Sequence, residues 1–338
     1  MKRFAFFAAG LALLGACGAS NEVEPAEKSK LDELVEEIRS QPPSEEALER
    51  LEDHNRAYSR VHTLPLPAYF DCLREHRGTV IAAHRGGPDT GFPENAIETF
   101  QHGFDRGIRV FEIDVAETRD GVLTLMHDDR LNRTTTGSGY VSDTDWETMS
   151  GLWLEDNDGR RTDFHPPKFT DVLLWAKQTG AVLELDRKPT TSFRNIAGAV
   201  RAAGAEENVI FISYNDDQAA EIAAIDPEFM MTASARGERD ISALEARGVD
   251  RDHLIAWTGT DRLDPPAWKR VSDAGVEAAF GTLGRAGERF DDQFLADGNG
   301  EEFEQLARDG VTLIATDFPY DVADLIAADD VGREKCGR

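Results

Sequence analysis

The sequence predicts an α/β fold built on short, buried strands. Nine apolar, strand-like runs occur between residues 79 and 316, and helical patterns lie between some of them. Of the 338 residues, 40% are hydrophobic and 30% are charged, which is typical of a globular protein with a substantial core. The length suits one α/β barrel of about 250 residues with an extension, and equally two smaller domains. The nine runs are 79–84, 109–115, 122–127, 181–186, 209–213, 229–233, 253–257, 276–280 and 311–316.

The N-terminal segment predicts export. Lys2 and Arg3 precede an apolar run over 4–14, which spans about 16 Å as a helix, too short for a bilayer core of about 30 Å. A charged start, a short apolar stretch and small residues behind it are typical of a secretory signal. Residues 14–17 (Leu-Gly-Ala-Cys) resemble a bacterial lipobox, in which Cys17 becomes the lipidated first residue of the mature chain. The alternative is an ordinary signal peptide with a chance cysteine.

Lipidation at Cys17 predicts a protein anchored in the bacterial envelope, because two or more acyl chains hold durably where one is marginal. Residue 18 is glycine rather than aspartate, which by the lipoprotein sorting pattern favours the outer membrane, facing the periplasm. We therefore expect a signal peptide over 1–16, an acidic tether with short helices over 17–60, and the main domain over 61–338.

The charge balance argues against a nucleic-acid-binding protein. The chain carries 37 Lys and Arg residues against 64 Asp and Glu residues, for a formal net charge of −27 at pH 7. Binding through phosphate contacts requires clustered cations. An anionic small-molecule ligand therefore has to be held by a local metal ion or a few arginines rather than by the overall field.

The first two strand-like runs carry residues typical of a catalytic site. The run over 79–83 leads into 84–87 (His-Arg-Gly-Gly), and barrel enzymes place their sites at the C-terminal ends of strands. In the next run, Glu112 and Asp114 share one face because strand side chains alternate. A divalent cation with oxygen ligands, such as Mg²⁺ or Ca²⁺, would offset their mutual repulsion and desolvation. The alternative is a solvated edge strand with exposed acids.

The order of the motifs is more specific than any one of them. After the first run comes Pro-Glu-Asn at 93–95, a later run ends in His-Asp at 127–128, and an Arg-Thr-Thr loop follows at 133–135. Over about residues 79–328 this order resembles the glycerophosphodiester phosphodiesterase family, whose signature is HR…ExD…H. The resemblance implies a distorted (β/α)8 TIM barrel that hydrolyses glycerophosphodiesters to an alcohol and glycerol 3-phosphate.

The resemblance also implies a role for each matching residue. One divalent cation, Mg²⁺ or Ca²⁺, would offset the charge of a small-molecule phosphodiester substrate. One histidine would accept a proton from the attacking oxygen, and the other would donate one to the departing alcohol. Direct attack by water and attack by a substrate hydroxyl both stay open. By resemblance, Glu112, Asp114 and Glu184 bind the metal, His84 and His127 are the acid–base pair, Arg85 contacts the phosphate, and Glu94 contacts a substrate hydroxyl or supports another site residue.

One residue departs from the family pattern. The family usually has a lysine two residues after the third acidic ligand, and Asp186 stands at that place. The site therefore gains an acid where a phosphate-binding cation is expected, which leaves the head group of the substrate open. The strand count is a second departure, because the nine runs exceed the eight strands of a barrel by one, and the sequence does not say which run lies outside.

Two cysteines remain after Cys17, and they predict a disulfide. Cys72 precedes the first strand, and Cys336 follows the helix expected after the last strand. The first and last strands are neighbours in a closed barrel, and that helix returns the chain to the floor at which the first strand begins. A Cys72–Cys336 bridge can therefore form in an oxidising compartment. The alternative is two unrelated free thiols.

Two other functions stay open. A phospholipase C- or D-like phosphodiesterase of the same barrel would act on intact lipid, and would call for an exposed apolar or cationic rim. A lipoprotein that keeps the barrel but only binds a ligand or partner would need no catalytic set, whereas all six core site residues are present in this chain.

Overall fold

The computed structural model of the protein describes residues 64–326 and 330–337. The expected signal peptide over 1–16, the lipidation site Cys17 and the tether over 17–60 lie outside the described residues. Within the described ranges, no helix is long and apolar enough to cross a bilayer.

In the described ranges, nine strands form one sheet that closes on itself. The strands are β1 (Val80–Ala83), β2 (Val110–Glu117), β3 (Leu123–Leu125), β4 (Val182–Arg187), β5 (Val209–Ile212), β6 (Met231–Ser234), β7 (Leu254–Trp257), β8 (Glu277–Gly281) and β9 (Val311–Thr316). Around the ring the order is β1, β2, β4, β5, β6, β7, β8 and β9, and β9 pairs again with β1. Every neighbouring pair in this ring is parallel. The structure thus confirms the expected eight-stranded parallel barrel.

The strand outside the barrel is β3. It pairs with β2 in the antiparallel direction, with Val115 opposite Leu125. The connection between the two strands is a tight turn, closed by a hydrogen bond from the Gly121 N–H to the Thr118 carbonyl at 3.0 Å. A parallel neighbour needs a crossover of a dozen or more residues, so this short link folds back as a hairpin. The next barrel position beside β2 is therefore taken by β4.

Helices surround the barrel. They are α1 (Leu66–His76), α2 (Ile97–Asp105), α3 (Trp146–Ser150), α4 (Phe169–Thr179), α5 (Phe193–Ala203), α6 (Asp216–Ile225), α7 (Glu238–Glu245), α8 (Pro265–Asp273), α9 (Phe290–Phe294), α10 (Glu301–Arg308), α11 (Pro319–Leu325) and α12 (Asp330–Lys335). Outward-pointing strand residues such as Phe111 pack with helix residues such as Phe100 and Trp175 in the main apolar core. This packing between helices and strands holds the ring of strands in place.

The N-terminal floor of the barrel is closed by α1. Leu66, Tyr69 and Phe70 of this helix are buried in one cluster with inward-pointing strand residues. Arg74, on the same helix, donates a hydrogen bond to Glu277 of β8 at 2.8 Å. The interior is therefore filled from below, and the open end is the C-terminal mouth.

A disulfide joins the floor helix to the C-terminal segment. Cys72 of α1 and Cys336, which are 264 residues apart, are linked with an S–S distance of 2.02 Å and a Cα–Cα distance of 5.8 Å. The structure thus brings together the two cysteines that the sequence analysis pairs. The bridge lies at the floor, far from the mouth in which the polar residues gather.

Candidate active site

A cavity of about 530 Å³ opens at the carboxyl ends of the barrel strands. Parallel strands place their C-terminal residues at one end, so side chains that are distant in sequence meet there. The charged or titratable side chains in its wall are His84, Glu112, Asp114, His127, Glu184, Asp186, Lys188 and Tyr214. This set contains both histidines and all three acids assigned to the metal by resemblance, together with Asp186, Lys188 and Tyr214.

The turn after β1 aims the backbone into this cavity. Arg85 has φ +53° and is followed by Gly86 with φ +82° and Gly87 with φ +74°. A Cβ atom on Gly86 would lie 2.1 Å from the ring of Phe100, so only glycine fits. The turn points the Arg85 N–H at Glu112 Oε2, at 2.7 Å. A non-glycine residue in the left-handed region is the kind of strain found at functional sites.

Four carboxylates form a two-by-two array on β2 and β4. In the register of these strands Glu112 is opposite Glu184, and Asp114 is opposite Asp186. Oxygens of Glu112, Asp114 and Asp186 all lie within 4.8 Å of one another. Glu184 precedes Asp186 by two residues on β4, lies deeper in the barrel than Asp186, and is not in this group. The structure therefore gathers two of the three assigned metal ligands with Asp186 rather than with Glu184.

Burial and mutual repulsion shape the charges of this array. Burial raises the pKa of Glu112 well above its usual range, and the neighbouring Asp114 and Asp186 raise it further. Burial raises the pKa of Glu184 to about 7. Acidic groups held this close are stabilised by a cation placed among them.

Lys188 supplies a cation to the array. Its Nζ lies 2.6 Å from Asp114 Oδ1 and 2.7 Å from Asp186 Oδ2. Burial acts to lower the pKa of this lysine, but the two carboxylates outweigh it and the net shift is upward. Asp186 stands in the array at the place where a cation was expected, and a cation also reaches the array two residues later along the chain. The reason is that the Lys188 N–H donates to the Val115 carbonyl at 2.9 Å, so the ladder and its alternation continue past the end of β4.

Asn95 holds Asp114 in place. Its Nδ2 donates to Asp114 Oδ2 at 2.7 Å, and its Oδ1 accepts from the Asp114 N–H at 3.0 Å. Asn95 has φ +59°, and its own N–H donates to the Arg85 carbonyl at 3.0 Å. Asn95 belongs to the Pro-Glu-Asn motif at 93–95, and no role could be assigned to it from the sequence.

Each histidine is supported by a carboxylate. The Nδ1 of His84 lies 2.6 Å from Asp317 Oδ1, and the Nδ1 of His127 lies 2.7 Å from Asp128 Oδ1. A carboxylate on Nδ1 fixes the ring and leaves Nε2 for the reaction. The Nε2 of His84 is 4.0 Å from Glu112 Oε2, beside the carboxylate group. Both supporting aspartates were given no role from the sequence.

The supporting aspartates are themselves held ionised. Burial acts to raise the pKa of Asp317, but His84 and Arg289 outweigh it and the value falls to about 2. The guanidinium of Arg133, with help from His127, holds the pKa of Asp128 below its usual range. A carboxylate that stays ionised orients its imidazole and stabilises the imidazolium form.

Arg85 lies between the second histidine and a buried glutamate. Its Nη2 is 2.8 Å from His127 Nε2, and its Nη1 donates to Glu94 Oε2 at 3.1 Å. Glu94 also accepts two hydrogen bonds from Arg133, both at 2.8 Å. The Nε of Arg85 is buried and has no hydrogen-bond partner among the described residues. Glu94 therefore contacts two arginines, and Arg85 keeps a free donor.

The fold and the site together define a class of protein: a (β/α)8 barrel whose mouth carries a cluster of carboxylates that could hold a cation and a pair of carboxylate-supported histidines. Residues 84–234 match the sequence model of the Glycerophosphoryl diester phosphodiesterase family. The chain belongs to this family.

Comparison with individual proteins agrees with this assignment. The uncharacterized protein YqiK of Bacillus subtilis is 31% identical over 229 residues, which is 60% of this chain and 94% of YqiK. A glycerophosphoryl diester phosphodiesterase from Parabacteroides distasonis has a crystal structure with a TM-score of 0.67 and 27% identity, covering 79% of this chain and 93% of that chain. The mouse glycerophosphodiester phosphodiesterase 1 is 29% identical over 175 residues, which is 51% of this chain. The match spans 50% of the mouse protein.

Proposed function

We propose that this member of a family of phosphoric diester hydrolases cleaves glycerophosphodiesters to an alcohol and glycerol 3-phosphate, with one divalent cation, Mg²⁺ or Ca²⁺, bound by Glu112, Asp114 and Asp186. The observation that carries the proposal is the convergence of these three carboxylates within 4.8 Å, beside His84. Hard divalent cations prefer such oxygen ligands. A divalent ion at this place supplies positive charge that stabilises the transition state of phosphoryl transfer.

The chain's own cations bind the phosphate. The Nε of Arg85 is a buried donor without a partner in the described structure, which is costly unless a ligand accepts its hydrogen bond. Lys188 balances two carboxylates when no other cation is near, and its ammonium offers a second positive charge to the phosphate. These two groups meet the need for local cations in a chain whose net charge is −27.

The two histidines carry the proton transfers. The Nε2 of one histidine accepts the proton of the attacking oxygen while the bond between that oxygen and the phosphorus forms. The other donates a proton to the leaving alcohol oxygen as the second P–O bond breaks. Asp317 and Asp128 hold the two rings at Nδ1. The Nε2 of His84 is thereby left for the substrate, whereas the Nε2 of His127 contacts Arg85 Nη2 at 2.8 Å and becomes available when Arg85 turns to the phosphate.

The metal-ligand assignment is tested with Asp114→Asn. Loss of one ligand charge should lower kcat/KM on glycerophosphocholine by roughly 10³-fold and weaken Mg²⁺ or Ca²⁺ binding, with little change of fold. Asp163→Asn is the matched control, because its side chain is 90% exposed. Full turnover by the native chain in excess chelator, after any tightly bound metal has been removed, would refute the metal-dependent reaction.

The location is part of the same proposal. We infer an outer-membrane lipoprotein that faces the periplasm, anchored through Cys17, on the basis of its lipobox-like residues 14–17. The Cys72–Cys336 pair supports an oxidising compartment. Metabolic labelling with palmitate should mark the wild-type chain and leave Cys17→Ser unlabelled. Equal labelling of the two would remove this assignment.

A further inference from the structure

Glu184 is the one carboxylate of the array whose role the proposed reaction leaves unexplained. Its neighbours on the array are all engaged: Glu112 accepts from the Arg85 N–H, and Asp114 and Asp186 contact Lys188. Glu184 is only 3% exposed, and its carboxylate makes no hydrogen bond or ion pair with any residue in 64–326 and 330–337. Its side chain lines the cavity.

A carboxylate in this state is costly to the folded protein. An ionised carboxylate loses its hydration on burial, and a protonated one still loses its hydrogen bonds to water, so buried acids normally have a partner. Arg74 shows the usual solution at the floor, where it pairs with the buried Glu277. For Glu184 no described residue provides such a partner. Because its side chain lines the cavity, a molecule bound in the cavity can provide one.

The depth of Glu184 matches one part of a phosphodiester. It precedes Asp186 by two residues on β4, a rise of about 6.6 Å along the strand. Hydroxyl groups of a glycerol ester lie about 5 Å from the phosphorus, and with a hydrogen bond of about 2.7 Å the reach is about 7.7 Å, which is enough to span this rise. The wall at this depth also includes Thr232, which is buried and uses no side-chain hydrogen bond to the described residues. A phosphate held at the mouth therefore lets its alcohol portion reach Glu184.

We propose that Glu184 is a specificity-determining residue. It accepts hydrogen bonds from donor groups on the glycerol or the head group that the phosphate joins, and so selects deacylated diesters. The inference rests on the proposed function. The donors are either the free hydroxyls of the glycerol portion or an N–H or O–H of the head group. A site built to bond such a donor rejects an analogue that lacks it by a large factor, because its own polar group is left unpaired. Acylated glycerol, whose hydroxyls are esterified, is rejected for this reason.

The test compares substrates that differ in donors. Glu184→Ala should lower kcat/KM on glycerophosphocholine and glycerophosphoethanolamine by roughly 100-fold, while bis(p-nitrophenyl) phosphate, which has no donor, changes by less than about 3-fold. Glu184→Gln keeps an acceptor oxygen and nearly the same shape, and should lie between. An equal loss on the two glycerol substrates assigns the glycerol hydroxyls. A larger loss on the ethanolamine substrate assigns its ammonium, since choline has no N–H.

Two results would overturn the inference. The first is an equal loss on all three substrates together with weaker binding of Mg²⁺ in calorimetry, which would make Glu184 a metal ligand. The second is unchanged activity of both variants on every substrate. Glu277→Gln removes a buried carboxylate at the floor and is the matched control; it is expected to lower stability without changing the ratio between substrates.

Binding measurements separate this inference from the proposed function. If the native chain hydrolyses no diester, the function is wrong, and calorimetry with glycerol 3-phosphate and phosphoethanolamine still tests Glu184. At least one of them should bind Glu184→Ala about 10-fold or more weakly than the native chain, with inorganic phosphate unchanged. Equal binding of both ligands to the two proteins would refute the role of Glu184.

Discussion

Replacing Lys188 with methionine tests how the site balances its charge. The ammonium contacts Asp114 and Asp186 at 2.6 and 2.7 Å, and the side chain is 13% exposed. Removing one partner of a buried ion pair costs roughly 3–5 kcal/mol, because the other charges stay buried and unpaired. We expect about 3 kcal/mol, since the cavity gives water access to these carboxylates. At about 2–4 °C per kcal/mol for a domain of this size, the metal-free Tm should fall by roughly 6–12 °C.

The same substitution should strengthen cation binding. The ammonium competes for the carboxylate oxygens, so its removal should increase the Tm gain that saturating Mg²⁺ or Ca²⁺ produces. Hydrolysis should nevertheless fall by roughly 10²–10³-fold, because a positive charge beside the phosphate is lost.

Calorimetric unfolding in EDTA and then across a Mg²⁺ series measures both effects on stability. Lys269→Met is the matched control, because Lys269 pairs with Asp273 on the surface, where such pairs contribute about 0–1 kcal/mol. A metal-free Tm equal to that of the native chain, or a Mg²⁺-induced gain no larger than the native one, would refute this account of the site.

Three further predictions follow from the site and the floor. His84→Ala and His127→Ala should each lower kcat by roughly 10²–10⁴-fold, and native kcat/KM should have a bell-shaped pH profile; near-native rates in both variants would exclude the acid–base pair. The pKa of Asp317 is depressed to about 2 from 3.8, so the ionised carboxylate adds stability above about pH 4, and this stability is lost as the pH falls towards 2. Asp317→Asn should flatten this part of the stability–pH curve, and an unchanged curve would contradict the assignment. Reducing Cys72–Cys336 should cost up to about 4–5 kcal/mol of unfolding free energy, and two reactive thiols per unreduced, unfolded chain would exclude the bridge.

The barrel could be predicted because its signal is repeated along the chain. Each parallel strand is a short apolar run, and the runs end in polar residues that gather at one mouth. The extra run at β3 could not be told from a barrel strand by composition, since Leu123–Leu125 is as buried as its neighbours. The turn at Thr118–Gly121 was the available signal, because a link this short favours a hairpin over a crossover.

The two aspartates that support the histidines differ in whether a local sequence pattern could have identified them. Asp128 adjoins His127 and could have been assigned from that position alone. Asp317 is 233 residues from His84, and the two meet only because β9 closes the barrel against β1. Asn95 reaches Asp114 from a left-handed backbone conformation, with its N–H bonded to the Arg85 carbonyl, and no periodicity encodes this arrangement.

The third carboxylate depends on a register that periodicity cannot fix. Side chains at 184, 186 and 188 share one face of β4, so a shift of the ligand by two residues leaves the alternation unchanged. Pairing with β2 decides which acid of β4 lies beside Asp114: it sets Asp186 level with Asp114 and Glu184, two residues deeper, level with Glu112. In this register, Asp186 and Lys188 have the acid–x–lysine spacing that the family resemblance led us to expect two residues earlier. Glu184 is then outside the group of three carboxylates, and this is why we propose a donor of the substrate as the partner of its buried side chain.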